Sequence, residues 1–186
     1  MFLFIASCRP EVFPPKPQGY YRLDTPATHQ YRVFDEPGFP YTFEYPVYSN
    51  VVRDTVFMGE KAENPYWIDI NFPSLGGVLN ITYKVISEKQ TLPKLIEDSW
   101  TMSFFHHEKA EYMNEKEFSV PGMNILLYTV GGNTASRYQF TATDSVKHFL
   151  RGALYFDVTP NADSLKPATD FLETDIKHML MTLKWR

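Results

Sequence analysis

What this 186-residue chain lacks narrows the field first. It has one cysteine, so no internal disulfide can form and no thiolate metal site can be completed. No apolar run approaches the ~18–20 residues that span a bilayer as a helix. Neither sign of charge dominates. The formal net charge is −4 with acids and bases interspersed, which leaves no basic field for nucleic acid. The G-x-S-x-G elbow of serine hydrolases and a complete H-E-x-x-H zinc motif are both missing. There is no internal repeat. The length is nonetheless sufficient to bury an ordinary core without disulfides or metal.

What is present begins with the lone thiol. Residues 2–8 read "FLFIASC", and Ile5-Ala6-Ser7-Cys8 is similar to the lipobox of bacterial lipoproteins. In that pattern an aliphatic residue and two small ones precede a cysteine that becomes lipidated and N-terminal. Only seven residues precede Cys8 and none is basic. A signal peptide needs about 15–30 residues, so the start is expected to lie inside a longer precursor, with residues 1–7 a remnant of its signal peptide. The competing reading is a frayed, slightly hydrophobic N-terminus with an incidental cysteine. Pro10, Pro14, Pro15 and Pro17 then lead to Gly19. Such a stretch favours polyproline II geometry at ~3.1 Å per residue, so residues 8–19 read as lipidated cysteine plus semi-rigid tether.

Residues 20–186 read as one globular domain, opened by an aromatic arm at 20–48 with a short strand at "YTFEY". Aromatic residues make up 16% of the chain, which suits a sheet-rich fold. "YWIDINF" alternates Tyr66, Ile68, Ile70 and Phe72 against Trp67, Asp69 and Asn71; "VLNITYKV" places Leu79, Ile81, Tyr83 and Val85 on one face. With "PSLGG" between them, the two predict a hairpin. Thr91 can cap a helix over 92–106 that carries Leu92, Leu95, Ile96, Ser99, Met102 and Ser103 on one stripe. Strands are expected near 111–119, 124–130, 136–143 and 147–158, with a turn at Gly131-Gly132-Asn133. A last helix should start at Asp163 or Ser164 and bury Phe171, Leu172, Ile176, Met179, Leu180 and Leu183. Runs of strands with two principal helices, without strict βαβ alternation, predict an α+β fold with a mainly antiparallel sheet.

Three constellations could carry chemistry. "HEKAE" at 107–111, beside His106, falls one residue short of the zinc-protease motif and reads more simply as a solvated helix end. Asp144, Ser145 and His148 lie within five residues, but a triad needs convergence in space, and Asp144-Ser145 also suits a turn. A hydrolase, or a carbohydrate- or small-ligand-binding protein, would use this region. A ligand carrier with an aromatic-lined pocket between arm and sheet is a further reading. Arg137, Gln139, His148 and Arg151 fall on neighbouring strands as a candidate partner contact, with Arg137 and Gln139 on one face and Arg151 opposite His148. No cofactor or metal is expected.

"GGNTASRYQFTATDSVKHFLRGALYFDVTPNADSLKP" at 131–167 and "DIKHMLMTLKW" at 175–185 resemble the GldD family of gliding-motility lipoproteins from Bacteroidetes. "KPQGYYRLD" and "YTFEYPVY" match as well, so the resemblance covers nearly the whole chain after Cys8. It implies acylation at Cys8, a role in gliding and type IX secretion through contacts with other lipoproteins and core components, and no known enzymatic activity. It also implies a PsbP-like αβα sandwich. Surface-exposed lipoproteins of that phylum carry acidic residues directly after the lipidated cysteine; Arg9-Pro10-Glu11 departs from this and implies a periplasm-facing domain. The phylum's O-glycosylation pattern also fits Asp54-Thr55-Val56, Asp144-Ser145-Val146 and Asp163-Ser164-Leu165.

Overall fold

Side chains leave a strand alternately on opposite faces, so the period-2 stretches can each bury one face only. The computed structural model describes residues 25–57, 60–104 and 110–186; Cys8, the tether and His106, His107 and Glu108 lie outside them. Among these residues the first strands are β1 (Tyr31–Phe34), β2 (Tyr41–Pro46), β3 (Asn50–Arg53), β4 (Val56–Phe57), β5 (Glu60–Lys61), β6 (Ile68–Phe72) and β7 (Gly77–Val85). Helix α1 (Leu92–Phe104) follows, then β8 (Met113–Val120), β9 (Met123–Val130), β10 (Tyr138–Thr143) and β11 (His148–Phe156). Helix α2 (Ala162–Thr182) and β12 (Lys184–Trp185) end the chain.

The main sheet is antiparallel with spatial order β3-β6-β7-β11-β10-β9-β8. After the β6–β7 hairpin, α1 carries the chain to the far edge, and β8 to β11 meander back until β11 pairs with β7. A small sheet, β1-β2-β12, joins both ends of the described chain. The fold is α+β, with α2 and the small sheet on one face of the main sheet and α1 on the other.

The two faces differ in kind. Ile68, Ile70, Phe72, Leu79, Ile81, Tyr83, Leu150, Leu154, Phe140, Ile125 and Leu127 point to the α2 side and form the core with Leu172, Ile176, Met179 and Leu180. Gly152 lets this layer close, because a Cβ there would stand 2.1 Å from the Phe140 ring paired with it. The opposite face carries Asp69, Asn80, Thr82, Lys84, Arg151, Gln139, Thr141 and Thr143, interspersed with Leu126, Tyr128 and Phe149.

Several expectations shift. Trp67 was expected opposite the core face, yet it is buried and donates Nε1 to the Tyr83 carbonyl at 2.8 Å; β6 begins only at Ile68, so Trp67 escapes the alternation. Val85, at the end of β7, is exposed. On α1 only Leu95, Ser99 and Ser103 are buried, while Ile96 and Met102 face solvent. The polar sheet face beneath offers too few apolar partners to engage a wide stripe. The cap of α2 is Asn161, whose side chain accepts from Ser164 N at 3.0 Å, rather than Asp163 or Ser164. Phe171 is half-buried, stacked on His29 with centroids 4.3 Å apart.

Ile176 is 2% exposed in the α2 layer. Ile176→Ala should lower unfolding free energy by about 2–5 kcal/mol in urea titrations. A loss within experimental error would show that α2 is not the lid of the core.

Candidate functional site: the polar sheet face and the cleft beneath α1

The loop between β10 and β11 keeps the three catalytic candidates apart. Asp144 Oδ1 accepts the backbone N–H groups of Val146, Lys147 and His148 at 3.0, 2.8 and 2.8 Å. Burial pushes this carboxyl up, but the three donors and His148 hold it below its ordinary value. Ser145 sits in the left-handed region at φ 64°, with its hydroxyl 3.5 Å from the Asn124 amide. His148 points the other way. Its Nδ1 lies 2.7 Å from the Tyr83 hydroxyl, and its ring stacks on Trp185 at 4.9 Å. Ser145 thus faces the α1 side and His148 the arm side, and Asp144 is occupied as a turn cap. The residues are neighbours in sequence and separated by the sheet.

At the junction between arm and sheet the described residues pack ring against ring. Phe39 meets Tyr66 at 5.6 Å, and Tyr41 meets Tyr83 at 5.8 Å. Beyond them, Asp175 on α2 is 1% exposed and collects three donors from the arm. His29 Nδ1 and the Tyr31 hydroxyl donate to Oδ1 at 2.7 and 2.8 Å, and the Tyr48 hydroxyl donates to Oδ2. Burial, then the hydrogen bond and charge of Asp175, push both tyrosine hydroxyls well above their ordinary range. One turn along α2, His178 stacks on Tyr31 and bonds Glu44 at 2.7 Å. The cluster ties the arm to the helix.

The four polar residues expected to form a partner contact divide between places. Gln139 (0% exposed) and Arg151 (8%) meet under α1, where Arg151 Nη2 and the Ser103 hydroxyl both donate to Gln139 Oε1, at 2.7 and 3.0 Å. His148 lies under the small sheet. Arg137 was expected beside Gln139 but turns to the α2 side, over the Tyr138 ring at 5.7 Å, within the influence of Asp170. It precedes β10, so strand alternation does not govern it. Three of the four are buried and cannot together be an open contact surface.

Two clefts flank α1 on the polar face. One, of about 230 Å³, includes Ile96, Leu126, Tyr128 and Ser145 in its walls. The other, of about 330 Å³, has Thr82, Lys84, Ser99 and Arg151 among its lining residues. On its outer side α1 presents Trp100 (45% exposed) stacked on Phe104 at 4.4 Å, with the exposed Ile96 one helical turn earlier. Lys84, Ser99 and Trp100 were not anticipated as site residues. The serines were legible as interruptions of an apolar helical stripe, and Asp175 as a charge inside the α2 stripe, three residues from Leu172 and one from Ile176. Of the proposed glycosylation triplets, Thr55 and Ser145 are exposed, and Ser164 is half-buried in the first turn of α2. Among the described residues no group of three or more His, Cys, Asp or Glu is placed to hold a metal ion, and no helix is long and apolar enough to cross a membrane.

A family model described as gliding motility lipoprotein GldD matches residues 10–185. Among solved structures, the solution structure of cyanobacterial PsbP (CyanoP) from Synechocystis sp. PCC 6803 is similar at 12% identity and a TM-score of 0.48, over 86% of this chain and 94% of that one. No curated protein matches in sequence.

Asp175→Ala leaves three donors without their acceptor. It should cost at least about 3 kcal/mol, read by urea titration, and expose the arm to proteases before the sheet opens. His148 supplies a pH test. Burial, reinforced by Lys147 and opposed by Asp144, holds it below its ordinary 6.5. The unfolded chain therefore protonates first, so this stabilising contribution is complete above about pH 6.5 and is lost as pH falls through the lowered folded value. The urea midpoint should drop on acidification across that window, and by less in His148→Gln. An identical slope in both proteins would assign the effect to other groups.

Proposed function

The chain belongs to the gliding motility lipoprotein GldD family, and from that membership we propose that it is a periplasm-facing accessory protein that assembles or stabilises the gliding and type IX secretion machinery by contact. The match over residues 10–185 carries the reading. As a gliding motility lipoprotein, the protein is anchored to the cell envelope by lipid, and Cys8 is the residue we assign to acylation. The dispersal of Asp144, Ser145 and His148 favours contact over catalysis, and so does the exposed Trp100–Phe104 stack, since aromatic side chains commonly anchor protein interfaces. The partners proposed are other lipoproteins and core components of that machinery.

Three substitutions test this at matched protein abundance. Cys8→Ala should release the protein into the soluble periplasmic fraction or leave uncleaved precursor, because acyl chains supply about 0.8 kcal/mol of membrane affinity per CH₂. Ser145→Ala should glide and secrete as wild type. Trp100→Glu should fold normally yet lose motility and in-cell crosslinks to its partners, with a cost above about 2 kcal/mol in association for an anchor residue. A folded, anchored Ser145→Ala protein that cannot support gliding would favour the enzymatic reading. Unchanged palmitate labelling of Cys8→Ala would remove the anchor assignment.

A further inference from the structure

Among the described residues Arg151 is a buried cation without a counter-ion. It is 8% exposed, and its identified partners, Gln139 Oε1 and Tyr155, are uncharged. Its Nε has no hydrogen-bond partner, and neither does Gln139 Nε2 beside it. Among the described residues no carboxylate lies within ion-pair distance of the guanidinium. Burial pushes its pKa down, with Tyr155 opposing, but an arginine side chain stays protonated in a protein. An isolated buried charge is strongly disfavoured unless something completes it.

The surroundings say what that something is. Arg151 lines the larger cleft beside α1, where Thr82, Ser99 and Thr101 supply hydroxyl groups and Leu95, Met102 and Phe149 supply apolar walls. We infer that this cleft binds the carboxylate of a monovalent organic acid, with Arg151 as counter-ion and the apolar walls receiving a short stem. A carboxylate presents two oxygens in one plane, which suits the planar fork of a guanidinium. A phosphate dianion fits less well. Asp98 shares the lining, and Lys84, the other cation there, is already paired with Glu63 at 3.2 Å. The volume of about 330 Å³ lies at the small end of ligand pockets, so the ligand is small or is the end of something larger. The same chemistry can come from a free acid or from the carboxylate of a neighbouring protein chain. The site is separate from the Trp100–Phe104 surface and does not rest on the contact role.

The test titrates the full chain, labelled with ¹⁵N, at constant ionic strength, reading the Arg151 Nε–H resonance identified by its loss in Arg151→Gln. Sodium hexanoate stands for the free acid, and N-acetyl-leucine with its carboxamide for a chain terminus. At least one carboxylate should shift the resonance saturably with a midpoint on the order of millimolar, while the carboxamide does not. A response to hexanoate alone points to a free acid; one to N-acetyl-leucine points to a chain-borne carboxylate. Met102→Glu, at an exposed position on the cleft wall, should weaken binding at least about tenfold, and by clearly more than Met102→Gln, which removes the same apolar contact without adding charge. This pair keeps the test decisive should Arg151→Gln fail to fold. The inference is overturned by any of three results: no saturable shift, an equal shift with the carboxamide or inorganic phosphate, or unchanged affinity in Met102→Glu.

Discussion

Asp175 sits at the middle of α2 with 1% of its surface exposed, and it accepts hydrogen bonds from His29, Tyr31 and Tyr48, more than 120 positions earlier in the chain. A carboxylate so placed is tolerable only while its donors stay in position. Its donors in turn are held by packing: His29 on Phe171, Tyr31 on His178, and Tyr48 against Phe72. The arrangement makes the arm and α2 interdependent. It also fixes where β2 lies, so that Tyr41 and Phe43 can enter the core and β12 can pair alongside. The two ends of the described chain are closed over one sheet face by a polar interaction inside an apolar layer.

That closure uses up one face of the sheet and leaves the other. With α2 and the small sheet supplying most of the apolar partners, the opposite face is mixed, with threonines, amides and charges set among Leu126, Tyr128 and Phe149. Helix α1 lies over it on a narrow contact through Leu95, Ser99 and Ser103. The clefts beside it and the aromatic pair on its outer side follow from that light attachment. The contact role proposed above would call on an exposed surface, and the α1 side offers one in Trp100 and Phe104. The buried hydrogen bonds of Gln139 to Arg151 and Ser103 give α1 a defined seat, which apolar contact alone would not specify.

Much of this was legible in the chain. The α+β class, the β6–β7 hairpin, the meander and both helices follow from hydrophobic period, because a side chain's face along a regular element depends only on local geometry. The apolar stripe of α2 was readable for the same reason, Phe171 excepted. The family was readable too, since "HFLRGALYF" and its flanks are a long specific string. The site was less so. His148 and Ser145 look like partners at a spacing of three, yet Ser145 occupies a turn with positive φ while His148 begins a strand, and that change of conformation sends their side chains to opposite faces. Arg137 was misassigned because alternation was extended past the end of β10.

The sequence by itself determined which elements form, where they break and which side chains share a face, since those depend on period, turn residues and caps. It also carried the family and the lone thiol at Cys8. Only the tertiary structure decided which face each helix covers and which polar residues meet. Asp175 with His29, and Arg151 with Gln139 and Ser103, are joined by strand order and helix placement across long separations, and no local pattern encodes such a pairing. Whether a charge is a solvated surface group or a buried one in want of a partner depends on what packs over it, and packing is a property of the whole fold.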